Sequence, residues 1–175
     1  MNKIKFARIR DVKFPTRGTS NSAGMDFYIP KLDKHLAVAF NSKNSGIDFG
    51  EKGFTIKPQQ SVLLPTGIKA NFHEYAESIG KKLMLVVKNK SGVGSKRLLT
   101  KLAEVIDQDY QGEIFINLVN TGSAPQSFEW GCEKSIAQLI LQEYLAPEME
   151  EVSENDLWKT ETERGEGSRG STDKK

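Results

Sequence analysis

The sequence has one cysteine, two histidines, no long hydrophobic run and no strong excess of charge of either sign. The single cysteine, Cys132, excludes an internal disulfide framework and favours a reducing compartment. Neither His35 nor His73 lies near Cys132 in the sequence. We therefore interpret the thiol as buried or incidental rather than as a nucleophile.

The lack of long apolar segments limits the possible locations and partners. No apolar run approaches the ~18 residues of a membrane-spanning helix, and the charged start MNKIKFARIR lacks the apolar core of a signal peptide. The formal net charge is only +2, although 27% of the residues are charged, so no basic field favours nucleic acid or membranes. We expect a cytoplasmic, soluble protein that binds neither and acts on a small molecule.

Short β-prone stretches punctuated by glycine and proline predict an all-β barrel or sandwich over residues 1–146. Residues 31–53 read as a polar insertion loop with a short helix over 32–40, and residues 71–82 as a helical turn. From residue 147 the chain becomes acidic and then rich in glycine and serine, which predicts a C-terminal arm and lid. Strands are predicted at residues 3–10, twice within 54–70, and at 83–87, 127–130 and 135–141.

Residues 103–120, AEVIDQDYQGEIFINLVN, predict a β-hairpin with an acidic turn. Val105 and Ile106 form the entering arm, residues 107–112 the turn, and residues 114–119 a returning arm rich in β-branched and aromatic residues. Aspartate and glycine are common in turns for conformational reasons alone. The pattern therefore fits both an ordinary hairpin and a hairpin with catalytic groups at its tip.

Two further segments contain groups that suit a phosphorylated ligand. Residues 88–97, KNKSGVGSKR, predict a loop whose backbone N–H groups, hydroxyls and cations could bind phosphates, although a plain surface turn has the same composition. The loop lacks the Gly-Lys-Ser/Thr ending of a Walker A motif. Gln138 interrupts an apolar strand, and it either faces solvent or contacts a ligand.

Taken in order, five segments resemble the signature motifs of the homotrimeric dUTP pyrophosphatases (dUTPases). The resemblance implies a jelly-roll-like β barrel assembled as a homotrimer, with shared active sites at the subunit interfaces and a C-terminal arm exchanged between subunits. The insertion at residues 31–53 and the form of the second motif are similar to phage members of the family. The five segments are AGMD at residues 23–26, NKSG at 89–92, VIDQDYQGE at 105–113, IAQLI at 136–140, and RGEG at 164–167 with GST at 170–172.

The resemblance also implies a reaction, in which water attacks the α-phosphorus of dUTP to give dUMP and pyrophosphate. Asp107 matches the general base. Tyr110 matches the tyrosine whose ring packs on the deoxyribose and excludes a 2′-hydroxyl. The backbones of Ile106 and Phe115 are expected to read the uracil edge, and Mg²⁺ is expected on the triphosphate with Asp26 at its water shell.

A second set of residues is expected to bind the triphosphate and close the site. A lysine at position 90, where the family more often has arginine, keeps the charge but loses the bidentate fork. Arg169 occupies the place of a phenylalanine that stacks on uracil, and three roles stay open for it: stacking on the base, reaching a phosphate, or neither. The implied substrate-binding residues of this set are Lys90, Ser91, Gly92, Gln138, Arg164, Arg169 and Gly170.

Two alternative functions fit the same fold. One is a dCTP deaminase, or a relative that acts on both dCTP and dUTP. A deaminase needs an additional carboxylate at the base, and the inward positions of residues 114–120 offer none. The other alternative is a non-catalytic trimeric regulatory or binding module, which the altered tail leaves open.

Overall fold

The computed structural model describes residues 3–167, which divide between two compact units, Met1–Leu145 and Ala146–Lys175. The first unit consists mostly of short strands, which confirms the all-β prediction. In the second unit, the described residues contain one short helix, α4 (Glu154–Leu157). Within residues 3–167, no helix is long and apolar enough to cross a membrane. The elements of the first unit are β1 (Lys5–Arg8), β2 (Met25–Phe27), α1 (Lys34–Asn41), β3 (Asp48–Phe49), β4 (Gly53–Ile56), β5 (Ser61–Pro65), β6 (Ile68–Asn71), α2 (His73–Ser78), β7 (Leu83–Asn89), α3 (Ser91–Arg97), β8 (Leu99–Leu102), β9 (Val105–Ile106), β10 (Phe115–Asn120), β11 (Gln126–Glu129) and β12 (Ala137–Glu143).

The strands form antiparallel sheets around one hydrophobic core. Their orders are β2-β12-β7-β9, β5-β10-β8, β11-β4-β3 and β1-β6. Strand β10 has the expected alternation, because Ile116 and Leu118 are buried whereas the residues between them are half-buried. Such alternation identifies a strand with one face on the core. It does not identify the neighbouring strands.

The predicted hairpin of residues 103–120 is wrong in its pairing. Strand β9 pairs with β7, with Ile106 opposite Leu85, whereas β10 pairs with β5 and β8. Of the two antiparallel neighbours of β10, the nearer one in sequence is β8, where Lys101 lies opposite Leu118. The two predicted arms therefore belong to different sheets, and residues 103–114 cross from one sheet to the other.

The short helix predicted over residues 32–40 is confirmed as α1, but the rest of residues 31–53 is not the polar insertion loop that we predicted. This segment contains α1 and β3, and the ring of Phe40 lies 5.1 Å from that of Trp130. Asn44 is also buried, and its side chain binds the backbone of Leu63 twice: Nδ2 donates to the carbonyl at 3.0 Å and Oδ1 accepts from the N–H at 2.7 Å. Apolar residues at helical spacing outweigh the polar composition, and the segment packs into the core of the unit.

The loop predicted for residues 88–97 is also wrong, because β7 continues to Asn89 and α3 follows it. Glycine inside a helix costs about 1 kcal/mol relative to alanine, which is why the composition predicts a loop. Burial of Val93 favours the helix, which ends where Leu98 adopts a left-handed conformation with φ of 53°. The helical turn predicted near residue 73 is confirmed as α2.

Asp33 is the N-cap of α1, and its Oδ1 accepts a 2.6 Å hydrogen bond from the N–H of Leu36. Asp33→Ala is therefore expected to lower the free energy of unfolding by about 1 kcal/mol at neutral pH. The capping bond lowers the pKa of Asp33, so the ionised form is the stabilising one. This contribution is present above the unfolded-state pKa of about 3.9 and disappears as the pH falls through the folded-state pKa. Urea denaturation at neutral and acidic pH measures both effects.

Asp33→Asn is the matched control, because asparagine caps helices about as well as aspartate but does not ionise. Its stability relative to Asp33→Ala should change little with pH. An equal stability of the wild type and Asp33→Ala at neutral pH would contradict the capping contribution.

Candidate active site

Several of the residues that were predicted to bind phosphate or to lie near Mg²⁺ meet at one end of the β2-β12-β7-β9 sheet. Gln138 on β12 lies opposite Asp26 on β2. The Lys90 ammonium donates to Asp26 Oδ1 at 2.8 Å, and the Ser135 hydroxyl donates to Asp26 Oδ2 at 3.3 Å. Gln138 Nε2 donates to the carbonyl of Asn89 at 3.0 Å. The fold therefore brings the first, second and fourth motif segments together within one chain.

Gly24 lies directly beneath the side chain of Gln138. A Cβ atom at position 24 would overlap Gln138 Oε1 and lie 2.9 Å from its Cδ. On the phosphate-binding role that the resemblance implies for Gln138, Gly24→Ala is therefore expected to displace this side chain and to raise KM for the nucleotide substrate to a similar extent as Gln138→Ala. The double variant should be no worse than either single variant, because both remove the same contact. Steady-state kinetics on the three variants measure this, and additive losses would contradict the overlap.

The second motif lies at the N-terminus of α3. Lys90 is the N-cap, and Ser91 and Gly92 are exposed in the first turn. Backbone N–H groups in a first helical turn have no partner within the helix, and they favour anions. A cavity of about 470 Å³ borders Lys90, Gly92 and two further cations, Arg97 and Lys134. This surface suits the binding of phosphate groups.

The third motif forms a turn that exposes to solvent the predicted base, Asp107, and the predicted substrate-binding residue Tyr110. The Tyr110 N–H donates to the Asp107 carbonyl at 3.2 Å, and the Tyr110 hydroxyl donates to the carbonyl of Glu113 at 2.9 Å. Gly112 gives the ring its space, because a Cβ atom there would overlap the Tyr110 hydroxyl. The carboxylate of Asp107 is exposed and makes no hydrogen bond or ion pair within residues 3–167.

Gln108 fixes this turn to the body of the unit, which the sequence did not indicate. Its side chain is buried, and Oε1 accepts from the Leu83 N–H at 2.9 Å. Its Nε2 lies 3.3 Å from His73 Nδ1 and 3.4 Å from Glu77 Oε1. A buried amide between two exposed aspartates has no periodic signal, so only the tertiary structure identifies Gln108 as an anchor.

The two residues predicted to read uracil are half-buried and lie in different sheets. Ile106 pairs with Leu85 in the β7-β9 ladder, and Phe115 pairs with Pro65 in the β5-β10 ladder. The Lys43 ammonium lies 5.1 Å from the centre of the Phe115 ring. The proposed base reader therefore consists of two strand ends from neighbouring sheets rather than of two arms of one hairpin.

Within one chain, the turn with Asp107 and the cluster around Lys90 lie far apart. The pairing of Ile106 with Leu85 places Asp107 beside Met84, near the start of β7, whereas Lys90 follows the end of β7. Six residues of extended strand span about 20 Å. One chain therefore does not bring the predicted base to the predicted phosphate residues.

The remaining predicted residues belong to the C-terminal unit. The Arg164 Nε donates to the carbonyl of Gly167 at 2.9 Å, in a turn where Gly165 has a φ of 50°. Arg169 and Gly170 lie outside the described residues.

The carboxylates suit Mg²⁺ only as a companion of the substrate. Residues 3–167 contain no group of three or more His, Cys, Asp or Glu side chains that could hold a metal ion. Mg²⁺ commonly keeps several waters and binds through one or two carboxylates together with substrate phosphates. Asp26 is the carboxylate in the cluster around Lys90. The residues present therefore fit a metal ion that binds together with the triphosphate.

Comparisons with known proteins agree with this arrangement of motifs. The dUTPase family model matches residues 43–173. The deoxyuridine 5'-triphosphate nucleotidohydrolase of Clostridium novyi is 33% identical over 153 residues, which are 85% of this chain and 99% of the relative. The human mitochondrial enzyme of the same name is 32% identical over 98% of this chain, which spans 55% of the human protein. The solved Staphylococcus bacteriophage 80alpha dUTPase with dUPNHPP superimposes with a TM-score of 0.66 at 19% identity, over 98% of both chains.

Proposed function

We propose, because the chain belongs to the dUTPase family, that it hydrolyses dUTP to dUMP and pyrophosphate. This reaction keeps uracil out of DNA and supplies dUMP for dTTP synthesis, and we place it in the cytoplasm. The observation that carries the proposal is the third-motif turn, which exposes both Asp107 and Tyr110 on one turn anchored by Gln108. The jelly-roll-like fold shared with the phage enzyme supports the same conclusion.

Asp107 acts in this proposal as the general base. Its exposed carboxylate, without a partner among the described residues, is free to accept a proton from a water molecule beside the α-phosphorus. The Tyr110 ring, held by its hydroxyl, packs on the deoxyribose and leaves no space for a 2′-hydroxyl. The backbones of Ile106 and Phe115 hydrogen-bond the uracil edge.

The phosphate groups bind at Lys90, Ser91, Gly92 and Gln138. Lys90 is paired with Asp26 in the free protein, so triphosphate binding exchanges a carboxylate partner for a phosphate partner. A bound Mg²⁺ would neutralise charge on the triphosphate, and Asp26, once released from Lys90, would be the side chain available to its water shell. Arg164, Arg169 and Gly170 are the residues of the C-terminal arm that, by the resemblance to the family, we expect to take part in substrate binding.

We propose shared sites between subunits because the two clusters lie apart in one chain, and we propose a homotrimer because the chain resembles the trimeric dUTPases. Because Asp107 and Lys90 lie at opposite ends of β7, a complete site needs Asp107 from one chain and Lys90 from another. The outer face of the β2-β12-β7-β9 sheet supports such a contact, since it carries the half-buried Ile140 and the exposed Val105 beside the polar cluster. Closed rings of identical subunits bury such faces without open ends.

Product analysis with dUTP, dCTP and UTP tests the proposed function. We expect pyrophosphate release with Mg²⁺ and dUTP, and far slower release with dCTP and UTP. Ammonia release from dCTP would instead indicate the deaminase. Binding of dUTP without any product would indicate a binding module, and either result would overturn the proposal.

A further inference from the structure

Arg10 and Glu113 form a nearly buried ion pair that the proposed reaction does not use. Arg10 Nε donates to Glu113 Oε1 at 2.9 Å and Nη2 donates to Oε2 at 2.8 Å, so the guanidinium binds the carboxylate in a bidentate geometry. The side chains are only 12% and 10% exposed. The hydrogen bonds that Arg10 donates to Glu113 raise the pKa of Arg10 above its ordinary value.

The pair joins three segments that are distant in the sequence. Glu113 Oε1 also accepts a 2.7 Å hydrogen bond from the N–H of Gly67, in the turn between β5 and β6. Gly67 has a φ of 71°, and a Cβ atom there would lie 2.9 Å from Arg10 Cβ, so the turn packs directly against the arginine. On the other side, Thr66 N–H and Oγ1 donate to the carbonyl of Ile114 at 3.1 and 2.7 Å.

This arrangement fixes the backbone of Glu113, and the Glu113 carbonyl in turn accepts the hydroxyl of Tyr110. We propose that Arg10 is a positioning residue, which sets the orientation of the Tyr110 ring through Glu113 and thereby determines selectivity for deoxyribose over ribose. The inference rests on the proposed function, in which Tyr110 is the sugar filter. It adds a residue from the start of the chain that lies outside all five motif segments.

The physical reason is that a steric filter works only if its ring cannot move aside. Tyr110 is 44% exposed, so packing alone does not fix the ring, and its hydroxyl bond to Glu113 provides the constraint. A bidentate arginine–carboxylate pair sets both distance and angle, whereas a lysine in the same place makes a point contact. Replacement of the Arg10 guanidinium by an amine should therefore let the Tyr110 ring move more, even though the positive charge remains.

Arg10→Lys is the main test, with the ratio of kcat/KM for dUTP to that for UTP as the readout. We expect this ratio to fall about 10-fold, mainly because UTP becomes a better substrate. Tyr110→Phe, which keeps the ring but removes the hydroxyl, should lower the ratio similarly. The double variant should lose no more than either single variant, because both changes break one chain of contacts.

Arg8→Lys is the matched control, since Arg8 is an exposed arginine on β1 whose side chain bonds only to the Val12 carbonyl, at 3.4 Å, among the described contacts. It should leave the ratio unchanged. A merely structural role for Arg10 would lower the thermal midpoint and the turnover of both nucleotides equally, which would overturn the inference. An unchanged ratio in Arg10→Lys would also overturn it. If the wild type does not prefer dUTP over UTP, the proposed function fails first, and the two failures are thus distinguishable.

Discussion

Asp107→Asn is expected to reduce kcat for dUTP by about 10²- to 10⁴-fold with little change in stability. Asparagine matches aspartate in shape but cannot accept a proton from water, so it removes the base and keeps the turn. The Asp107 side chain makes no bond within residues 3–167, and the bonds that hold the turn come from its neighbours, so the fold loses no side-chain contact. Pyrophosphate release under saturating dUTP, compared with the thermal midpoint, measures both parts.

Asp109→Asn is the natural control, because Asp109 is a second exposed aspartate in the same turn and is expected to have no role in proton transfer. Its turnover should stay close to that of the wild type. Turnover retained in Asp107→Asn, or lost equally in both variants, would contradict the assignment of the base.

Mixing two inactive variants is expected to restore activity, because the proposed site takes Asp107 and Lys90 from different chains. Asp107→Asn subunits still supply Lys90, and Lys90→Met subunits still supply Asp107. In a random equal mixture, about one quarter of the sites receive both intact groups. Unfolding and refolding the two variants together, followed by measurement of pyrophosphate release, should therefore recover roughly a quarter of wild-type activity.

A second mixture provides the control for this experiment. Lys90 and Gln138 belong to the cluster that one chain assembles by itself, so Lys90→Met mixed with Gln138→Ala should show no more activity than the average of the two variants measured separately. Both variants must form oligomers of the same size as the wild type by sedimentation. Absence of recovery in the first mixture, with mixed oligomers demonstrated, would mean that the two clusters do not share sites between chains.

The sequence predicts those parts of the fold whose signals are local. Strand β10 alternates between buried and half-buried residues, and β12 is evident from its apolar run with Gln138 as the exception. The pairing of β9 with β7 is a long-range choice, so the adjacent runs around Asp107 suggested a hairpin that does not exist. Helix α3 was missed because its glycines argue against a helix, and only the tertiary packing of Val93 favours it.

The candidate site divides in the same way. The motif residues Asp26, Lys90 and Gln138 could be grouped from the resemblance, and the register of β12 brings them together. Gln108 and Arg10, which hold the third-motif turn and Glu113 in place, could not be predicted. Both act through contacts with segments far away in the sequence. Long-range hydrogen bonds of single side chains have no period and no neighbouring motif to reveal them.

The side chain of Asn44 has a consequence for how copies of the chain avoid one another. Strand β5 is the last strand of its sheet, and such a strand offers free N–H and C=O groups to any extended chain that meets it. Asn44 bonds both backbone groups of Leu63, in the middle of this edge strand. Its side chain thus makes the two hydrogen bonds that a neighbouring strand would otherwise make there. The segment between α1 and β3 thereby leaves less of this edge open to pairing with another extended chain.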